Sequence, residues 1–174
     1  AAAVVVHLLA QDAVLQAGDR IEVIGFPEMA RFNASVVDAV LLARETGPLP
    51  APVPVALADL MAGKDDGNLV SIEATVTDSY RGPTGGMLVL QDGNFTIQAQ
   101  APTLPDSPAA GSRLRVTGIC RVESTRDSEY RATPASVALR IRSGRDLELL
   151  RAPGWWTPER LAAADTGPLV RFQT

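Results

Sequence analysis

The chain of 174 residues holds one cysteine, Cys120, and one histidine, His7. A single cysteine forms no intramolecular disulfide. It flanks Ile119 in an apolar run, where a buried and inert thiol is expected. One histidine without a cysteine pair argues against a zinc centre and against Cys-His or Ser-His-Asp catalysis, so His7 is read as a structural residue of an apolar strand. Aromatic residues are only 5% of the sequence, and the core must rest on Val, Leu, Ile and Ala. No run approaches the roughly 18 apolar residues that would cross a bilayer. Ala1 to Val6 has no basic stretch ahead of it and is not read as a signal peptide, while it fits the mature end left after cleavage of one. The glycine-rich stretch Gly82 to Gly86 lacks Gly-Lys-Ser/Thr and reads as a hairpin turn, not a phosphate cradle. Asp65-Asp66, in Lys64 to Asn68, lacks the regular oxygen spacing of a calcium loop. These absences leave no catalytic constellation, no metal site and no cofactor site, and a non-enzymatic protein is expected.

A net charge of −4 and a pI near 5.0 argue against a polyphosphate-gripping protein, so nucleic acid is not expected as a partner. The charge is uneven. Arg113, Arg115, Arg121, Arg126, Arg131, Arg140, Arg142, Arg145 and Arg151 crowd one late segment, with Glu123, Asp127, Glu129, Asp146 and Glu148 among them. Intermixed signs on strands predict a solvated face.

What is present in strength is an internal repeat. Gly18-Asp19-Arg20-Ile21-Glu22-Val23-Ile24-Gly25-Phe26 matches Gly111-Ser112-Arg113-Leu114-Arg115-Val116-Thr117-Gly118-Ile119. The alternation puts Ile21 and Val23 on one face and Arg20, Glu22 and Ile24 on the other. Upstream, Val4 to Leu8 falls opposite Ile97 to Ala101 without a gap; downstream, Ser35 to Ala43 and Ser136 to Leu150 read as further strands. The second copy has two strands more: Leu69 to Thr77, then Met87 to Asp92, with Gly93-Asn94 reversing the chain into Phe95. Five strands in this order predict an all-β fold, an OB-type five-stranded barrel preceded by the second half of another OB-like unit, with short helices. The expected organisation is a partial OB-like unit over 1–46, a Pro-rich linker over 47–54, a complete barrel over 55–152 and a Trp-Trp helix and tail over 153–174. A short helix ended by Gly63 and another opening at Thr157-Pro158 complete the reading.

The order of these pieces, Gly18 to Phe26, Gly47 to Pro54, Leu57 to Met61, Leu114 to Cys120, Ser143 to Leu150 and Trp155 to Pro158, resembles the extracytoplasmic OB-like sensor region of bacterial membrane-bound hybrid histidine kinases. The resemblance implies a sensory or ligand-binding module involved in signal transduction, periplasmic and near a membrane. In the family an apolar span follows the Trp-Trp helix, whereas Ala162 to Gly167 is polar and short.

The ligand-binding surface is expected at Tyr80, Gln98, Gln100, Arg121 and Tyr130 of the second barrel. Trp155 and Trp156 are assigned to a membrane interface or to packing. The first copy lacks the two leading strands, and three completions compete: strands upstream on a longer parent chain, a partner, or the chain's own strand-like Gly167 to Gln173. A protein partner or self-association through the incomplete barrel is expected. Two alternatives stand beside the sensor: a structural or accessory subunit docking by strand addition, and a single-stranded nucleic-acid-binding OB protein stacking bases on Tyr80, Phe95 and Tyr130.

Overall fold

The computed structural model describes residues 3–10, 14–29, 34–83, 85–102, 104, 108–124 and 134–154. Period-two alternation of apolar residues dominates these segments, and strands follow. Val4–Leu8 (β1), Asp19–Met29 (β2) and Ala34–Thr46 (β3) form one sheet in the order β1-β3-β2. In it β1 runs parallel to β3, and β2 antiparallel to β3. Ile21 and Val23 are half-buried while Arg20, Glu22 and Ile24 are exposed, as the alternation requires.

The remaining strands close on themselves. Leu69–Gly82 (β5) pairs with Gly85–Asp92 (β6), and β6 with Phe95–Ala101 (β7). β7 pairs in parallel with Pro134–Arg140 (β9), β9 antiparallel with Arg113–Ser124 (β8), and β8 antiparallel with β5. First to second to third to fifth to fourth and back to first is the connectivity of an OB barrel. Closure leaves no long free edge. The early part of β5, where β6 has not yet begun, is covered by the two-residue strand Val53–Pro54 (β4), so the linker ends inside the sheet.

Inward-facing residues recur every second position: Val70, Ile72, Ala74 and Val76; Leu88 and Leu90; Ile97, Ala99 and Ala101; Leu114, Val116 and Cys120; Val137, Leu139 and Ile141. Two leucines from outside the barrel complete this core. Leu57 and Leu60 lie on the single-turn helix Leu57–Leu60 (α1), ahead of β5. Gly118 falls where the inward alternation would place a side chain. A Cβ there would stand 3.0 Å from the Arg140 carbonyl oxygen, so its glycine lets β8 cross β9 closely.

The two units share one register. Val5 faces Ser35 as Gln98 faces Ala138, and Val6 faces Val36 as Ala99 faces Leu139. Phe26 faces Val37 as Ile119 faces Arg140, and Glu28 faces Ser35 as Arg121 faces Ala138. β1, β3 and β2 thus repeat the pairing of β7, β9 and β8.

The structure corrects one element. Ser136 to Leu150 is not a single strand: β9 ends at Arg140, a 3-10 turn spans Gly144–Asp146, and Leu147–Arg151 (β10) returns onto β8. Local bonds make the break. Asp146 accepts from the Arg142 backbone N–H at 3.2 Å and pairs with its guanidinium at 2.6 Å, and the Ser143 hydroxyl accepts from the Arg145 N–H. The first unit has no such turn, and β3 runs on along β2 with bulges instead. Trp155, Trp156, the helix opening at Thr157 and most of 153–174 lie outside the described residues.

Cys120 is fully buried on β8. Desolvation, followed by the charges of Asp66 and Asp65, pushes its thiol up to about 12. The folded chain then keeps a proton that the unfolded chain releases above about pH 9, so this stabilisation is complete below that pH and lost as pH rises towards 12. Alkaline urea titrations are expected to show wild type losing about 3–4 kcal/mol more than Cys120→Ala between those limits. Identical pH dependence in the two proteins would rule the buried thiol out as the cause.

Candidate functional site

The barrel's outer face is ordered by its cross-strand pairs. One row runs Tyr80, Met87, Gln100, Arg140, Ile119 across β5, β6, β7, β9 and β8. The adjacent row runs Asp78, Val89, Gln98, Ala138, Arg121 over the same strands. Register therefore brings four of the five residues expected at a ligand surface, Tyr80, Gln98, Gln100 and Arg121, onto one face. Tyr130 lies outside the described residues. Arg140, one of the late-strand arginines, joins them with Met87 and Ile119, which the sequence alone did not single out.

An open cleft of about 970 Å³ sits at the rim of this face. Its walls include Tyr80, Arg81, Gln100, Arg121, Arg140 and Arg142, while Gln98 lies outside them. Gly85 and Gly86 form its edge at the β5–β6 turn. Gly85 has φ +134, and a Cβ on it would stand 2.4 Å from the Ala101 carbonyl oxygen. Glycine here lets the turn lie against the end of β7 and keeps the rim low.

The arginines of the late segment divide by partner. Arg115 is held between Glu73 at 2.9 Å and Glu148 at 2.7 Å, which raises its pKa, the Glu73 hydrogen bond first. Arg113 pairs with Asp92 and Glu73, and Arg142 with Asp146. For these the expected solvated face of mixed charge holds. Arg121 and Arg140 are different: both are exposed, and neither makes an ion pair or side-chain hydrogen bond with a described residue. They stand diagonally on β8 and β9, at a separation of roughly 7–8 Å for such neighbours. One carboxylate, Glu123, also lines the cleft and accepts from the Ser136 hydroxyl at 3.1 Å.

Tyr80 is 50% exposed and gives its hydroxyl to Asp78, and this hydrogen bond, with the Asp78 charge second, raises its phenol pKa. Phe95 does not join Tyr80. It lies at the β6–β7 turn, six residue pairs along the ladder from Gly86 and Ala101, or about 20 Å at the rise of a strand. The expected stacking set of Tyr80, Phe95 and Tyr130 is therefore corrected: Tyr80 is the one described aromatic at the cleft.

The first unit lacks this basic pair. Glu28 occupies the place of Arg121, Val37 that of Arg140, and Phe26 that of Ile119. Among the described residues no helix is long and apolar enough to cross a membrane.

No protein-family model and no curated protein matches the sequence. Solved structures do. Asparaginyl-tRNA synthetase from Pyrococcus horikoshii is 18% identical over 66% of this chain and 26% of its own, with a TM-score of 0.44. The telomere capping protein Ten1 from Saccharomyces pombe is 16% identical over 66% of this chain and 95% of its own, with a TM-score of 0.37. A murine DNA-binding protein, bound with double-stranded DNA, is 12% identical over 77% of this chain and 70% of its own, at 0.40. The chain spans only about a quarter of the synthetases it matches, 24% of the chain from Leishmania major and 22% of that from Entamoeba histolytica. These likenesses are weak; the fold is established by the strand order itself. Two expectations are corrected, the sensory module and nucleic acid as an unlikely partner, and the exposed basic pair beside Tyr80 on the barrel face is the ground for both. Net charge argued against nucleic acid, but a sum over the chain is blind to Arg121 and Arg140 standing unpaired among the described residues on one face of a closed barrel.

Proposed function

We propose that the closed barrel binds single-stranded nucleic acid across its β5–β6–β7–β9–β8 face, as a binding protein without a catalytic step. The observation that carries this reading is the exposed pair Arg121 and Arg140 beside Tyr80 in an open cleft. A single strand offers a charged backbone and flat bases with free edges. Arg121 and Arg140 suit the phosphates, with Arg81 and Arg142 at the rim. Tyr80, Met87 and Ile119 offer surfaces for a base plane, and Gln100 supplies a donor and an acceptor for a base edge. A duplex fits less well, because its stacked bases hide the planes that Tyr80 would meet. Phosphate contacts of this kind release counterions, so affinity must fall with salt.

Fluorescence anisotropy with labelled oligonucleotides of about 12 residues, a length within the span of one OB fold, is the direct test. Binding is expected at low salt, with log affinity falling against log salt at a slope of about −2, the value for roughly three phosphates on a single strand. No binding of either DNA or RNA oligonucleotides at low salt would overturn the reading.

A further inference from the structure

Three strands of the first unit reproduce the second unit's register, and the second unit shows what such strands pack against. There β5 lies on β8 along Arg113 to Ile119, and β6 lies on β7 along its whole length. β5 and β6 form one hairpin, and only Gly93 and Asn94 separate β6 from β7. In the first unit the equivalent edges are β2 along Arg20 to Phe26 and the outer edge of β1. Neither pairs with a strand among the described residues. The side chains that would face a barrel interior are correspondingly open. Val4 is 51% exposed where its counterpart Ile97 is 2% exposed, and Ile21 and Val23 are half-buried where Leu114 and Val116 are buried. Two open edges and an uncovered apolar face on so small a sheet invite a cover.

We infer that the first sheet is the second half of a further barrel, closed by a β-hairpin of the same polypeptide that leads through a tight turn into Val4. Its first strand lies antiparallel on β2 opposite Arg20 to Phe26, and its second antiparallel on β1. The face it covers sets its chemistry: alternate apolar residues of small to middle size, as Val70, Ile72, Ala74 and Val76 are on β5. The repeat also sets its connection. In this register Val4 corresponds to Ile97, five residues after β6 ends at Asp92. A second strand that pairs with β1 as β6 pairs with β7 therefore ends about five residues ahead of Val4 and is continuous with β1 in the chain. Continuity also avoids the loss of translational freedom that a separate chain would bear. The unit so completed is independent of the nucleic-acid reading, since Glu28 and Val37 stand where that reading uses Arg121 and Arg140.

The test compares the 174-residue chain with one extended by the codons directly ahead of Ala1 in its gene, to the length of the segment 69–94. Amide hydrogen exchange is read at β2, with β5 as an internal reference that is protected in both chains. The upstream residues are expected to hold two alternating strand-length runs joined by a turn. The extension is expected to slow alternate amides of Arg20 to Phe26 at least 100-fold. An upstream sequence without such runs, or β2 amides that exchange equally fast in both chains, would overturn the inference.

Discussion

Reversing both exposed arginines, Arg121→Glu with Arg140→Glu, is expected to weaken oligonucleotide binding at least about 150-fold while leaving the fold intact. Each guanidinium accounts for a charge-assisted contact to a phosphate, worth about 1.5 kcal/mol or more, and the new carboxylates add repulsion. Stability should move by less than about 0.5 kcal/mol, because both side chains are exposed and neither pairs with a described residue. The salt slope should shrink by about 1.4, the share of two phosphates on a single strand. Reversal of Arg113 and Arg115 is the matched control. It breaks ion pairs to Glu73, Asp92 and Glu148 on another part of the surface and should alter binding far less. Equal losses from the two double variants would mean that net charge, not the cleft, governs the interaction.

The largest loss of stability from a single substitution at neutral pH is expected at a residue that belongs to no strand. Leu60→Ala should cost about 3 kcal/mol in urea unfolding, within the range for deleting a buried leucine. Leu60 is wholly buried, yet it sits on a helix of one turn with no side-chain cap at its start. A helix so short has no stability of its own. Its order comes from Leu57 and Leu60 entering the barrel core, and that core in turn needs them to exclude water. A cost below 1 kcal/mol would show that α1 rests on the barrel without sealing it.

The parts of this architecture that sequence reveals are those encoded locally. The repeat is visible because the same turn glycine and the same alternation occur at Gly18 and at Gly111. The Gly93-Asn94 reversal fixes β6 and β7 for a similar reason, and the five strands follow in order. The break between β9 and β10 was not visible, because Arg142 and Asp146 read as surface charges until a turn brings them together. Nor was the division of the arginines. Arg113, Arg115, Arg121 and Arg140 look alike in the chain, and only the register of β8 against β5, β9 and β10 gives two of them carboxylates and leaves two without. Phe95 and Tyr80 are both exposed aromatics on the strands that flank β6, β7 and β5 respectively, but the length of β6 sets them at its opposite ends. Partnering across a barrel is a non-local property, and a net charge averages it away.

Amide chemical shifts report where the oligonucleotide sits. In a 15N-labelled protein titrated with a single-stranded 12-mer, shifts are expected to concentrate at Tyr80 to Gly86, Gln98 to Ala101, Ile119 to Glu123 and Ala138 to Arg142, with β1 to β3 unchanged. Shifts centred on β1 to β3 or on the Glu73–Arg115–Glu148 surface, or none at saturating oligonucleotide, would contradict binding at the cleft.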